Sequence, residues 1–200
     1  FATRKIVQPS LAYKVTGNNQ RFNWGLLGAF DKEIRFGSHI KNRDDYFQAL
    51  AINPIWRTLK INNTLLSRMN DDYYNHVYSG NLNWRFFPDF RWGATTYLST
   101  KKLPGVGTSK EGYLLSTNLG ATPGDWNADA YYTRCSKDLA LDMGYFYRAD
   151  FHKWGGSMGW DMEQKPGYIK YAGASAWTEM YEYNPDNKPT HERSFGANAY

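Results

Sequence analysis

Two carboxylates, Asp161 and Glu163, stand two residues apart in GWDMEQ. On an extended strand that spacing projects both from one face, about 6 to 7 Å apart at their Cα atoms. Paired acids of this kind can divide the work of glycoside hydrolysis, one protonating the leaving oxygen while the other attacks or activates water. The fuller acidic motif of β-jelly-roll hydrolases is missing, however, and Arg148 and Lys170 offer partners to two wall carboxylates. The residues therefore point away from an enzyme, with glycosidase chemistry on Asp161 and Glu163 as the alternative.

No other constellation comes closer to catalysis. The four histidines, His39, His76, His152 and His191, lack the close spacing that groups metal ligands. GASAW (173–177) and GGSMG (155–159) lie in alternating segments rather than at the strand-to-helix turn that a serine nucleophile needs. GVGTSKEG (105–112) lacks the Gly-Lys-Ser/Thr order of a phosphate loop and reads as an external loop. Cys135 is the single cysteine, which excludes an internal disulfide and a thiolate metal cluster. The expected catalytic, cofactor and metal residues are therefore none.

What must position these residues is a set of strands. From 73 to 102 the chain reads YYNHVYSGNLNWRFFPDFRWGATTYLSTKK, with His76, Tyr78, Gly80, Leu82, Trp84 and Phe86 on one face and Asn75, Ser79, Asn81, Asn83 and Arg85 on the other. After Phe87-Pro88-Asp89 the alternation resumes, which predicts a long antiparallel hairpin. Period-two segments recur at 10–17, 21–30, 46–53, 56–67, 75–87, 90–101, 112–121, 126–135, 144–153, 156–164, 168–183 and 193–200, making about a dozen strands. Only 137–143 competes as a short helix. Tight connections (17–19, 87–89, 122–125, 165–167) alternate with longer polar ones (37–45, 68–73, 102–111, 184–192), the rhythm of an up-and-down barrel.

Composition narrows the class. Aromatics make up 18% of residues, yet the mean hydropathy is −0.69, so rings and polar groups must be sorted by face rather than pooled in one core. No apolar run approaches the roughly 20 residues of a membrane helix, whereas a spanning strand needs only about 9 to 11. The net charge of +5 is spread along the chain without a cluster denser than Lys101-Lys102, which argues against a nucleic-acid partner. The start at Phe1, with neither an initiator Met nor a leader, fits a mature protein or a fragment.

The polar faces carry small and polar groups, as a lumen would, and Arg91, Tyr97, Tyr131, Arg148, Asp150, Asp161 and Glu163 are the expected lumen-lining residues. Trp84, Trp92, Trp126 and Trp177 are the expected aromatic girdle at the membrane interface. A soluble β-sandwich also alternates, and is the competing architecture.

The runs RFNWGLLGAFDKE (21–33), DDYF from Asp44 and LLSRMNDDYYNHVYSGNLNWRF (65–86) resemble the C-terminal outer-membrane barrel of bacterial proteins that contain a carbohydrate-binding family-nine domain. DWNADAYYTRCSKDLALDMGYFYRADFHKWGGSMGW (125–160) resembles that family's Trp-rich strand, short link and "aromatic, Arg, x, Asp" strand. The likeness spans most of the chain as texture with dipeptide anchors. It implies a Gram-negative outer-membrane location, a link to saccharide handling and a preceding periplasmic sandwich, which these residues do not contain. The ending departs from the family's: Phe195, Ala197 and Ala199 alternate with Tyr200 out of phase.

The expectation is thus an all-β, antiparallel up-and-down transmembrane β-barrel domain or barrel segment over 1–200. It would act as a porin-like channel or envelope component for a saccharide solute, without a cofactor. Its partners would be the lipid bilayer and either further barrel strands or a periplasmic domain from the rest of the chain or another chain. The alternative is a secreted soluble β-sandwich that binds or hydrolyses glycans. On the barrel reading, strand 10–17 is paired on both sides, with 193–200 or, as favoured here, with polypeptide outside these residues.

Overall fold

A computed structural model describes residues 9–32, 34–36, 39–42, 44–105, 107–141, 149–162, 172–183 and 190–199. The chain runs β1 (Pro9–Asn18), β2 (Phe22–Asp31), β3 (Ile34–Phe36), β4 (His39–Asn42), β5 (Asp45–Pro54), β6 (Leu59–Asn70), β7 (Tyr73–Phe87), β8 (Phe90–Lys102), β9 (Ser109–Ala121), β10 (Trp126–Cys135), β11 (Phe151–Met162), β12 (Ala172–Tyr183) and β13 (Thr190–Ala199). No helix occurs among the described residues.

Eleven strands form one antiparallel sheet in the order β1-β2-β5-β6-β7-β8-β9-β10-β11-β12-β13, with β3 and β4 as a separate hairpin inserted between β2 and β5. Extensive strand–strand contact is confined to ladder neighbours. The sandwich alternative, which requires two sheets face to face, is not the architecture found. Nor do the terminal strands join: among the described residues β1 pairs with β2 and β13 with β12, so the sheet is open.

Covered glycines mark both edges of the sheet. The indole of Trp24 lies over Gly17 on β1, the ring of Tyr13 over Gly28 on β2, and the indole of Trp177 over Gly196 on β13. A ring folded across a cross-strand glycine shields backbone that would otherwise be bare, and pins register where only one neighbour is available to do so.

The connections fall at two ends. Turns at 19–21, 55–58, 88–89 and 122–125 close one end; the second holds 71–72, 103–108 and the long segment between β10 and β11. The 68–73 stretch, expected as a longer loop, is a two-residue turn at Asp71-Asp72, because β6 and β7 extend to Asn70 and Tyr73. Sequence periodicity places two strands at 144–153 and 156–164, yet β11 runs unbroken through Gly155-Gly156. Those glycines are sites of close approach: a Cβ at Gly156 would lie 2.6 Å from the carbonyl oxygen of Asp129, and one at Gly155 would strike the carbonyl oxygen of Thr178. In place of the short helix, residues 136–141 form an irregular strap, and Met143 lies outside the described residues.

Burial is concentrated on the polar face. Ala29, Phe47, Leu66 and Val77 form one cluster and Leu114, Cys135 and Leu139 another, with Tyr97 and Leu141 packed against both. Val77 and Leu114 stand in phase with Asn75 and Ser116, so at this end the polar face carries a core roofed by the strap. Alternation over 144–153 groups Phe151 with Tyr145 and Tyr147 as an apolar face; in the structure Phe151 is opposite Cys135 and Tyr183 and packs on the second cluster. Its phase follows from β11 being one strand.

Candidate functional site

The two faces of the sheet differ in chemistry from edge to edge. One face presents Leu11, Val15, Leu50, Ile52, Leu65, Leu98, Leu115, Leu119 and Met158, all more than a third exposed. Polar groups on that face satisfy one another: Ser67 with His76 Nδ1 at 2.8 Å, Tyr78 hydroxyl to Asn63 Oδ1 at 2.7 Å, Trp92 Nε1 to Thr117 Oγ1 at 2.8 Å, and Tyr132 hydroxyl with His152 Nδ1 at 2.9 Å.

Aromatics collect toward the strand ends on this face. Trp84 stands directly opposite Trp92, and Trp126 opposite Trp160, all near the short-turn end. Phe86, Phe87 and Phe90 cluster at the β7–β8 turn with ring centroids 5.5 to 6.3 Å apart. At the opposite end Phe30 and Tyr46 meet at 4.7 Å and Tyr74 stacks on His76 at 5.1 Å. Trp177 departs from the expectation for the girdle. It stands on the polar face, in register with Ser157 and Gly196, because the ladders put it in one cross-strand row with Ser157 and Asp129.

The polar face divides into three regions. Under the strap, Asp45, 1% exposed, accepts from Arg68 Nε at 3.1 Å and Nη2 at 2.5 Å and from Asn70 Nδ2 at 2.9 Å. The Arg68 guanidinium also stacks on Phe47 at 5.6 Å and Tyr73 at 5.3 Å. The strap is held from below: Asn75 Nδ2 donates to the Ala140 carbonyl at 3.1 Å, and the Ala140 amide donates to Ser99 Oγ at 3.1 Å.

Across β9 to β13 runs a ladder of polar side chains. Ser116 and Thr133 hydroxyls meet at 2.8 Å, Tyr131 hydroxyl donates to Glu179, and Lys153 Nζ bridges to Glu179 at 2.8 Å while lying 5.4 Å over the Tyr131 ring. Asp129 accepts from Ser157, and Asp161 from Asn127 Nδ2 at 3.1 Å.

The third region lies on β6 to β8 at the short-turn end. Here Arg57, Lys60, Arg85 and Arg91 surround a cavity of about 330 Å³ together with Asn83 and Asn118. Lys and Arg are evenly spread along the chain, but the folded sheet gathers these four. Arg85 stands two residues before Phe87 and Arg91 one residue after Phe90, and the register shift between Arg85 and Phe87 brings the two arginines opposite each other. Lys60 joins only through the β6–β7 ladder, and Arg57 from the turn that precedes β6, neither of which local sequence displays.

Of the residues singled out from sequence, Arg91, Tyr97, Tyr131 and Asp161 stand on the polar face, though in separate regions. Tyr97 packs against the buried clusters. Asp150 sits just before β11 with φ 60°, a left-handed conformation that Asp adopts more readily than most residues; its amide donates to the Ser136 carbonyl at 3.4 Å. Arg148 and Glu163 lie outside the described residues, so the structure does not place the Asp161–Glu163 pair. Among the described residues no group of His, Cys, Asp and Glu is placed to hold a metal ion.

No protein-family model matches this chain, and no curated protein matches it.

Proposed function

We propose that the sheet is the wall of a bacterial outer-membrane β-barrel, with the apolar face against lipid and the polar face lining a solute pathway. The observation that carries this reading is the exposed apolar face, continuous over the strands and closed off by rings at both ends. On β7 the outward residues run from Tyr74 to Trp84. That is about 33 Å along the strand, or about 25 Å of height at a tilt near 40°, the height of the apolar band of outer-membrane barrels.

Surface area supports the same reading. The chain exposes 14223 Å², against roughly 9,700 Å² for a compact soluble monomer of this mass by the usual area scaling. A soluble protein rarely leaves such a face in water. In lipid, the unpaired edges of β1 and β13 would each leave backbone groups costing several kcal/mol, so the wall is completed by strands outside this set. The resemblance to barrels that accompany carbohydrate-binding domains adds a saccharide as the solute class.

Reconstitution in bilayers of brominated phosphatidylcholine tests the reading. Outward Trp84, Trp92 and Trp126 should be quenched together with Trp24, Trp154 and Trp160 on the same face, and replacement of all six by Phe should remove most of the quenching. A protein that stays monodisperse without detergent and shows no quenching would overturn it.

A further inference from the structure

We propose that the polar face at the short-turn end carries a binding site for phosphate-bearing solutes, built from Arg57, Lys60, Arg85 and Arg91 with the side-chain amides of Asn83 and Asn118. The register places Arg85 directly opposite Arg91, and Lys60 opposite Asn83 on the adjoining ladder. Like charges directly opposite on a sheet destabilise it, and a cationic cross-strand pair next to two further cations invites a counterion. None of the four makes an ion pair or a side-chain hydrogen bond with a described residue. The nearest carboxylate in the same cross-strand row, Asp129, lies two strands away from Arg91 across Gly120 and is engaged by Ser157.

The chemistry of the lining selects the anion. Guanidinium forks match the tetrahedral oxygens of phosphate two at a time, and Lys60 adds a compact charge. Asn118, and the second N–H of an Asn83 amide whose first donates to Asn81 Oδ1, contribute neutral donors for an ester oxygen or sugar hydroxyl. Three guanidinium groups and one ammonium around about 330 Å³ suit a dianion better than a single carboxylate. Acidic Asp129, Asp161 and Glu179 stand on β10 to β12, so charge is divided across the polar face, cationic on one flank and anionic on the other. As a binding site this stands on the side chains of the polar face alone; that it selects what passes rests on the pathway reading above.

Calorimetric titration of the detergent-solubilised full chain with pyrophosphate, against a sodium chloride background of equal ionic strength, tests the site. Saturable binding is expected, weakened at least tenfold in Arg85→Gln/Arg91→Gln and at least threefold in Arg57→Gln, which lies outside the ladders. Lys110→Gln, at the opposite end of the sheet, should change it less than twofold. Absence of saturable binding, or an equal loss in Lys110→Gln, would overturn the site, and Arg57→Gln keeps the test decisive if the double variant does not fold. Micelles doped with phosphatidylglycerol distinguish a lipid headgroup from a solute: undiminished pyrophosphate binding supports the solute, and displacement overturns it. Because the titration needs no bilayer, its failure alongside intact quenching by brominated lipid removes this site and leaves the membrane reading standing.

Discussion

Asn75 on β7 reaches 65 residues along the chain to donate a hydrogen bond to the main-chain carbonyl of Ala140, at 3.1 Å. Asn75 is 2% exposed, and its amide closes an acceptor that the strap would otherwise bury unpaired. Asn75→Leu should cost about 1 to 3 kcal/mol and free residues 136–141. Amide exchange at Ala140, whose N–H is held by Ser99, should accelerate at least tenfold. Unchanged protection there would show that packing of Leu139 and Leu141 alone holds the strap.

Close approach of the strap to β9 gives a paired test. A Cβ at Gly112 would collide with the main chain of Leu139, whereas one at Gly107 meets nothing within 4 Å. Gly112→Val should therefore destabilise by about 1 to 3 kcal/mol and expose Cys135 to thiol reagents, while Gly107→Ala should stay within about 0.5 kcal/mol. Equal denaturation midpoints for the two variants would contradict the packing described.

The buried ion pair makes a sharper prediction. With Asp45 at 2% and Arg68 at 19% side-chain exposure, Arg68→Met leaves a carboxylate stranded and should cost about 3 to 5 kcal/mol. Adding Asp45→Asn should recover much of that loss, since an uncharged amide in the same place needs no counter-charge. A double variant as unstable as the single one would locate the role of Arg68 in its stacking on Phe47 and Tyr73 instead.

Neighbouring residues on β7 test the proposal that the apolar face meets lipid. Leu82→Arg, on the apolar face, should cost about 2 to 4 kcal/mol near the bilayer midplane, whereas Asn81→Arg should be tolerated. Folding yield into vesicles, followed by protease resistance, reads the difference. Equal damage from both would argue against lipid on one side only.

Period-two alternation made most of the sheet legible, because a residue's face is decided by its own position in a strand; β10 was expected at 126–135 and is found as Trp126–Cys135. Phase was harder wherever strand limits were ambiguous. Reading Gly155-Gly156 as a break put Phe151 on the wrong side, since a glycine pair signals a turn or a close approach with equal force. Trp177 shows the same weakness: alternation in AGASAWTEMYEY does not say which set faces in until Ser157 fixes it across the ladder. The basic cavity and the strap were out of reach, since Lys60 meets Asn83, and Asn75 meets Ala140, only through contacts between segments distant in the chain.

Every ladder but β2–β5 joins strands consecutive in the chain, and even that one skips only a small hairpin. The sheet therefore behaves as a counter of hairpins. Removal of β7 and β8 would bring β6 beside β9 in the same antiparallel sense, with the polar and apolar sets still in step and the ladders beyond them unaltered. The sheet can thus widen or narrow in steps of two strands without a new fold having to be found, and chemistry carried on one hairpin, such as the facing arginines of β7 and β8, can be gained or lost as a cassette.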